Sequence, residues 1–367
     1  MGSTENHLDK PFPANKEDDD ACLYAIHLST SFTFHMVFKA AIELKLFDII
    51  ASRGSQPDAY MSPSEIASQL PTKNSDAPYL LDRMLRLLTS YSLLTCSVRT
   101  GEDGRVQRLY GIAPAGKFYV QNEDGYSLGA VPLFSLHPPL AEVWFHLKDA
   151  VLENGNLFEK VHGKSIFQYM DSDPTVNTLF SNAMAAHSGI ALKKVLETYK
   201  GFEGVSVLVD VAGGFGAALN MIISKYPSIK GINFDLPHVI KQAPSYAGIE
   251  HVEGDMFAAV PKGDAIVLKC TCHDWSDESC VSLLKNCNKA LEENGKVIII
   301  DYLMPEVPES SVAAKHISVY DNAMVFNLGG KERTEKEFEA LSKSSGFSGF
   351  QVVCRAYNAL GVMELYK

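Results

Sequence analysis

No apolar run in this sequence reaches the ~20 residues that a membrane-spanning helix needs. The first twenty residues, MGSTENHLDKPFPANKEDDD, are polar and end in an acidic run, so they lack the apolar stretch of a signal peptide. The start falls short of a myristoylation site, because Asn6 stands where Ser or Thr is required. Positive charge is in deficit: 33 Lys and Arg face 44 Asp and Glu, for a formal net charge of -11. A nucleic-acid binder displaces counterions with a basic face, which this balance does not supply overall. A disulfide framework is also missing, since the seven cysteines are an odd number scattered from Cys22 to Cys354. A reducing compartment is the simpler reading of that pattern. These absences point to a cytoplasmic protein with a disordered tail over residues 1–20, and with neither membrane nor nucleic acid as partner.

What is present suffices for two domains: 367 residues, 46% hydrophobic and 21% charged, an ordinary globular balance. From Ala21 to Ser52 the chain reads as helical, with Ala40, Ala41, Ile42, Leu44, Leu46, Phe47 and Ile50 forming a broad apolar face. Ser62-Pro63-Ser64-Glu65 is a capping box with proline at the first helical position, opening a helix over Glu65–Leu70. A second helix, Tyr79–Tyr91, follows Asp76-Ala77-Pro78. Leu93–Val98 and Gln107–Ile112 read as strands around a turn at Thr100–Gly104. Helix, helix and hairpin in this order predict a winged-helix-like module. Tyr79–Tyr91 carries Asp82, Arg83 and Arg86 among many leucines, so a buried structural or dimerising role is favoured over a DNA groove. Further helices are expected at Leu140–Val151 and Pro174–Tyr199.

Gly201-Phe202-Glu203-Gly204 marks the expected break between a mainly helical domain, 21–200, and a second domain, 201–367. Beyond it, strands at Val205–Val211, Gly231–Phe234, Glu250–Val252, Ala265–Lys269 and Val297–Asp301 alternate with helices, notably Ala217–Tyr226 and Glu278–Glu292. That alternation predicts an α/β fold with a parallel sheet covered on both faces. Strands at Phe350–Arg355 and Gly361–Leu365 complete it.

Asp210-Val211-Ala212-Gly213-Gly214-Phe215-Gly216 falls where the first of these strands turns into a helix. Glycines there permit a tight turn and let a ligand approach the backbone, and the helix N-terminus favours negative charge. Asp235, at the end of the next strand, can accept hydrogen bonds from both hydroxyls of a ribose. This spacing fits either NAD or S-adenosylmethionine.

A longer pattern separates the two cofactors. VDVAGGFGAALNMIISKYPSIKGINFDLPHVI, EGDMF, LKCTCHDWSDESC and GGKERTEKEF occur in order, with LYAIHL near the N-terminus and LKDAVLENG in the middle. Together they closely resemble the plant small-molecule O-methyltransferases of the caffeic acid and isoeugenol type, over nearly the whole chain. The resemblance implies a Rossmann-like S-adenosylmethionine-dependent methyltransferase domain, preceded by a helical domain that dimerises and lends residues to the partner's active site. It also implies O-methylation of a phenolic plant metabolite by a homodimer, with S-adenosylhomocysteine as the product left behind.

The same resemblance assigns roles. Ala212, Gly213, Gly214, Asp235 and Leu236 would hold the cofactor. Asp255, Met256 and Phe257 would bracket its adenine, and Lys269 would contact the adenine or the carboxylate end. On the residues alone, Met256 and Phe257 read first as core side chains, and a helix cap after Gly254 is a fair competing reading of Asp255. His273 would be the general base, with Asp301 and Glu332 steering it. The chemistry agrees: a phenol with a pKa near 10 must lose its proton as the oxygen attacks, and a histidine near 6.5 can take it. His273 also lies just past the carboxyl end of a strand, where ligands bind in such folds. Phe180, Met184, Asp274, Asn327, Met170, Val176 and Ile166 are the implied substrate contacts. Cys270, Cys272 and His273 form a C-x-C-H string without a fourth ligand at zinc spacing, so no metal is expected.

Several positions depart from the family. Ala212 stands where it usually has glycine, Asp301 where it has glutamate, and Cys270 and Thr271 where it usually has tryptophan and isoleucine. In the pocket, Val176 replaces phenylalanine, Met170 histidine and Ile166 a small residue, and the stretch Phe134–Val143 is shortened. These changes motivate a second reading, a diverged enzyme that uses the pocket for non-methylating acid–base chemistry. A winged-helix regulator of nucleic acid is the third.

Overall fold

The computed structural model describes residues 16–54, 59–100, 104, 106–122, 127–153 and 155–367. Its contacts divide the chain into two compact units between Gly129 and Ala130.

The first unit holds α1 (Lys16–Thr30), α2 (Phe32–Glu43), α3 (Leu46–Ala51), α4 (Pro63–Ser68), α5 (Ala77–Ser90), β1 (Leu94–Thr100) and β2 (Val106–Ile112). The helical stretch expected over Ala21–Ser52 is three helices, broken at Ser31 and at Lys45, whose φ of 54° is left-handed. The tail expected over 1–20 is helical from Lys16; residues 1–15 lie outside the described residues. The capping box forms as its spacing predicts: Glu65 N–H donates to Ser62 Oγ, while Ser62 N–H donates to Glu65 Oε2 at 2.8 Å. β1 and β2 pair antiparallel, though the expected turn between them lies largely outside the described residues. α5 buries Ala77, Leu81, Leu85 and Leu88 along one face only; Arg83 and Arg86 are exposed on the other. Tyr110 in β2 fastens the hairpin to α5, its hydroxyl donating to Asp82 Oδ1 at 2.7 Å.

The second unit begins with α6 (Ala130–Ser135), α7 (Pro138–Val143), α8 (Leu147–Leu152), α9 (Leu157–His162), α10 (Ile166–Ser172) and the long α11 (Pro174–Thr198). The single helix expected over Leu140–Val151 is split into α7 and α8 by a 3-10 turn at Trp144–His146. The α/β part follows: β3 (Val207–Val211), α12 (Ala217–Lys225), β4 (Lys230–Asp235), α13 (Pro237–Ile240), β5 (Ile249–Glu253), β6 (Gly263–Lys269), α14 (Asp277–Ala290), β7 (Leu291–Tyr302), α15 (Val312–Asn327), α16 (Glu335–Ser344), β8 (Gly349–Ala356) and β9 (Leu360–Tyr366).

The seven strands form one sheet in the order β5-β4-β3-β6-β7-β9-β8. The first five are parallel, as predicted; β9 runs antiparallel to both β7 and β8. The reversal follows from the turn joining β8 to β9. Tyr357 and Asn358 both have positive φ, 55° and 56°, and Ala359 N–H returns to Ala356 O at 3.1 Å. A two-residue turn of that hand makes a hairpin, not a crossover.

Side chains alternate across the sheet, so each strand feeds two cores. Leu208, Ala265, Val267, Ile298 and Ile300 join Ala191, Leu192, Val195 and Leu196 of α11 on one face. Val209, Ile266, Leu268, Val297 and Ile299 meet Cys280, Leu283 and Leu284 of α14 and Phe338 of α16 on the other. The packing of α11 on the sheet explains why the compact unit starts at Ala130, well before the break expected at Gly201. Among the described residues, no single helix is long and apolar enough to cross a membrane; α1 and α2 reach that length only as a pair bent by 52°.

Candidate active site

The carboxyl ends of β3, β4, β6 and β7 carry the polar residues. After β3, Ala212 and Gly214 both take left-handed backbone, φ 57° and 58°. A Cβ at Gly213 would lie 2.2 Å from Asn233 Oδ1 and 2.8 Å from Asp210 Oδ2, so only glycine fits between those side chains. A Cβ at Gly214 would meet nothing within 4 Å, so there the backbone faces open space. Asp235 ends β4 and binds the loop: its Oδ2 accepts from Gly214 N–H at 2.8 Å and its Oδ1 from Leu236 N–H at 2.7 Å. Burial raises the Asp235 carboxyl, while those two amides pull it back. Asp210 is buried with Oδ2 unpartnered, and burial pushes it up to about 7 against the pull of Lys269.

Asp255 is exposed, and its Oδ1 accepts from Phe257 N–H at 2.9 Å, closing a turn after Gly254. Asn286 on α14 holds the backbone of this turn. Its Nδ2 donates to Met256 O at 3.0 Å and Phe257 O at 2.9 Å. Met256 and Phe257 are half-buried against the α14 side of the sheet, and Phe257 meets Trp275 edge-on with ring centroids 4.8 Å apart.

β6 ends at Lys269, Cys270 turns with φ 49°, and a 3-10 turn over Cys272–Asp274 presents His273. The imidazole is 6% exposed. Its Nδ1 is 2.8 Å from Glu332 Oε1 and 3.9 Å from Asp301 Oδ1; its Nε2 is 3.5 Å from Asp274 Oδ1. Asp301 and Glu332 are both buried, and Asp301 Oδ1, Asp301 Oδ2 and Glu332 Oε2 have no hydrogen-bond partner. Burial pushes Asp301 up to about 6, while His273 pulls it down and Glu332 adds to the rise. Asp274 is likewise raised by burial, to about 6. Burial alone would depress His273, but Asp301, Asp274 and Glu332 outweigh it and hold the ring well above the ordinary histidine value.

Residues outside the expected set, Arg333 first among them, hold this group together. Arg333 is fully buried; its guanidinium donates to Cys272 O and Trp275 O, both at 2.7 Å, and to Asp277 Oδ1 at 2.9 Å. Its own carbonyl accepts from Met304 N–H at 2.9 Å, just past the strand bearing Asp301. Lys331 N–H donates to His273 O at 2.9 Å, and a Cβ on Gly330 would lie 1.9 Å from that same oxygen. Asp321 accepts from Glu332 N–H at 2.9 Å. Arg333 is legible in the GGKERT string only as a charge; nothing local marks it as buried. Asn286 had no sequence signal.

The implied substrate residues fall in two groups. Ile166, Met170 and Val176 are 7%, 5% and 0% exposed, packed with Leu140, Val143, Leu157 and Phe158 in an apolar cluster. Phe180 sits at its edge against Phe134, centroids 5.4 Å apart. Met184 is one turn further along α11, half-buried. Asn327 ends α15 with its Oδ1 buried and unpartnered, three residues before Gly330. One metal-capable grouping occurs among the described residues: donor atoms of Cys270, His273 and Asp301 lie within 4.8 Å of one another. Cys272 is not in it. Its side chain is buried beside Cys280, whose Sγ is 3.2 Å from Cys272 O.

Comparison with known proteins identifies the family. Residues 144–348 match the O-methyltransferase domain and residues 26–122 the O-methyltransferase dimerisation domain. The chain is 55% identical to a caffeic acid 3-O-methyltransferase of Prunus dulcis, with both chains fully covered. It is 56% identical to O-methyltransferase 13 of Lophophora williamsii, over 95% of this chain and 96% of that one. The solved structure of human N-acetylserotonin methyltransferase has the same fold, with a TM-score of 0.79 at 22% identity over 100% of this chain and 99% of that one. This chain therefore belongs to the S-adenosylmethionine-dependent O-methyltransferase family.

Proposed function

We propose that this protein methylates a hydroxyl of a small phenolic plant metabolite, with His273 as general base and Glu332 and Asp301 steering it. The observation that carries the reading is the 2.8 Å contact between His273 Nδ1 and Glu332. A carboxylate on Nδ1 fixes the proton there and leaves the Nε2 lone pair free for an incoming hydroxyl. Nε2 then takes the phenol proton as the oxygen attacks. The resulting imidazolium is stabilised by Glu332 and Asp301. Asp274, 3.5 Å from Nε2, is positioned to orient the hydroxyl.

The cofactor's residues fit as a set. Open space at Gly214, the carboxylate of Asp235 beside it, and the turn of Asp255, Met256 and Phe257 form a line along the strand ends. Asp235 would hold the ribose, Leu236, Met256 and Phe257 the adenine, and Lys269 the polar end. When bound, S-adenosylmethionine supplies an electrophilic methyl group. Relatives named for caffeic acid support a phenylpropanoid-type substrate. We place the substrate ring near Phe180, Met184 and Asn327, with Ile166, Met170 and Val176 shaping that wall from behind. The dimerisation domain supports a homodimer. The seven free cysteines are consistent with a cytoplasmic setting.

The test is transfer of labelled methyl from S-adenosylmethionine to a phenolic panel, wild type beside His273→Ala. Loss of about 10²–10⁴-fold is expected for removing a general base. Undiminished transfer in the variant would remove His273 from that role. Absence of cofactor binding in calorimetry would instead favour the non-methylating alternative.

A further inference from the structure

We propose that Cys270, His273 and Asp301 also form a binding site for a zinc-type divalent cation, which takes the active-site histidine out of use. The donor set is thiol, imidazole and carboxylate, the combination a borderline-soft ion prefers. Its members come from the turn after β6 and the end of β7, yet the three donor atoms lie within 4.8 Å of one another. An ion at their centre would sit within about 2.8 Å of each, and a contraction of about 0.5–0.8 Å reaches the usual zinc distances of about 2.0–2.3 Å.

A second, independent feature points the same way. Asp301 is 0% exposed, and neither of its carboxylate oxygens has a hydrogen-bond partner. A buried acceptor with both oxygens unsatisfied is costly, and coordination would satisfy it. Glu332 is not one of the three donors, but its carboxylate, with Oε1 2.8 Å from His273 Nδ1 and Oε2 buried and unpartnered, adds negative charge beside them. The local charge favours a cation, since Asp274, Asp301 and Glu332 all face His273. Cys270 is partly exposed, unlike Cys272, Cys280 and Cys287, so the donor at the rim gives the ion a way in. On binding, the Cys270 thiol proton and any proton on the coordinating imidazole nitrogen leave to solvent as the metal–sulfur and metal–nitrogen bonds form.

The occupancy of the site does not depend on the base role proposed for His273; the inhibition does. The full-length protein, with the exposed Cys22 and Cys96 changed to serine in every arm, is titrated with Zn²⁺ by calorimetry and with Co²⁺ by absorption. One ion per chain is expected, with a thiolate-to-cobalt charge-transfer band. Cys270→Ser should lose that band, weaken binding by at least about tenfold, and still transfer methyl, with its sensitivity to Zn²⁺ reduced by the same factor. Equal affinity and an unchanged cobalt spectrum in Cys270→Ser would overturn the site. Cys270-dependent zinc binding together with undiminished transfer by His273→Ala would uphold the site and fault only the base assignment.

Discussion

Asp301 Oδ1 stops 3.9 Å from His273 Nδ1, beyond hydrogen-bond reach, while Glu332 closes on the same nitrogen at 2.8 Å. Glutamate is one methylene longer than aspartate and reaches about 1.5 Å further. Asp301→Glu is therefore expected to bring a second carboxylate onto the single Nδ1–H that Glu332 already accepts, as a shared three-centre contact. A hydrogen bond worth about 1 kcal/mol corresponds to about fivefold in kcat. Single-turnover methyl transfer reads that gain, with a thermal melt alongside because the site is fully buried. A stable variant with unchanged or lower kcat would show that the gap at Asp301 is not limiting.

The pH dependence has a definite sign. The base form of His273 is the neutral ring, and the surrounding carboxylates hold its protonated form to higher pH than usual. Activity should therefore rise with pH, with the ascending limb of kcat/KM above the ordinary histidine value of about 6.5. Asp301→Asn removes one of the charges that raise the ring and should move that limb to lower pH. A limb in the wild type at or below the ordinary value would contradict this electrostatic account.

Arg333 is a positioning residue. Its guanidinium spans Cys272 O, Trp275 O and Asp277, and so fixes the turn that presents His273 beside Glu332. Arg333→Ala leaves two carbonyls without their donor and should cost about 3 kcal/mol or more in chemical denaturation. Arg333→Lys keeps the charge but loses the fork, and should recover only part of that. In the lysine variant kcat should fall more than KM rises, with a displaced pH limb. A variant that loses stability alone, with its pH profile intact, would reduce Arg333 to a structural role.

Ala212 is strained as well as unusual. Its φ of 57° lies in the left-handed region, which costs a residue with a Cβ about 1 kcal/mol. Ala212→Gly should raise unfolding free energy by about that amount and tighten cofactor binding, since the methyl sits on the glycine loop. Denaturant melts and calorimetry with S-adenosylmethionine measure the two effects separately. Equal or weaker cofactor affinity in the glycine variant would mean that the methyl does not obstruct the site.

The sequence by itself determined the parts governed by local periodicity and by contiguous motifs. β-branched runs alternating with apolar helices specified the parallel strands β3 to β7, because both faces of each strand must be buried. The Ser62–Glu65 capping box was legible because its bonds close within three residues, and the glycine loop after Asp210 because its residues are contiguous, although its bonds run to Asn233, Phe234 and Asp235. His273 stood out from its place just past a strand end together with the CHDWSD motif that carries the family resemblance. Tertiary structure decided whatever joins distant segments. It put Glu332 on Nδ1 and left Asp301 short, a matter of ångströms between side chains from separate segments. It buried Arg333 against the turn that carries His273, tied Asn286 to the Met256–Phe257 backbone, and reversed β9 through a tight turn at Tyr357 and Asn358. It also packed Ile166, Met170 and Val176 into a closed apolar cluster and brought Cys270 within reach of Asp301. Such distances depend on how the β6 and β7 ends align across the sheet, which residue order along the chain does not record.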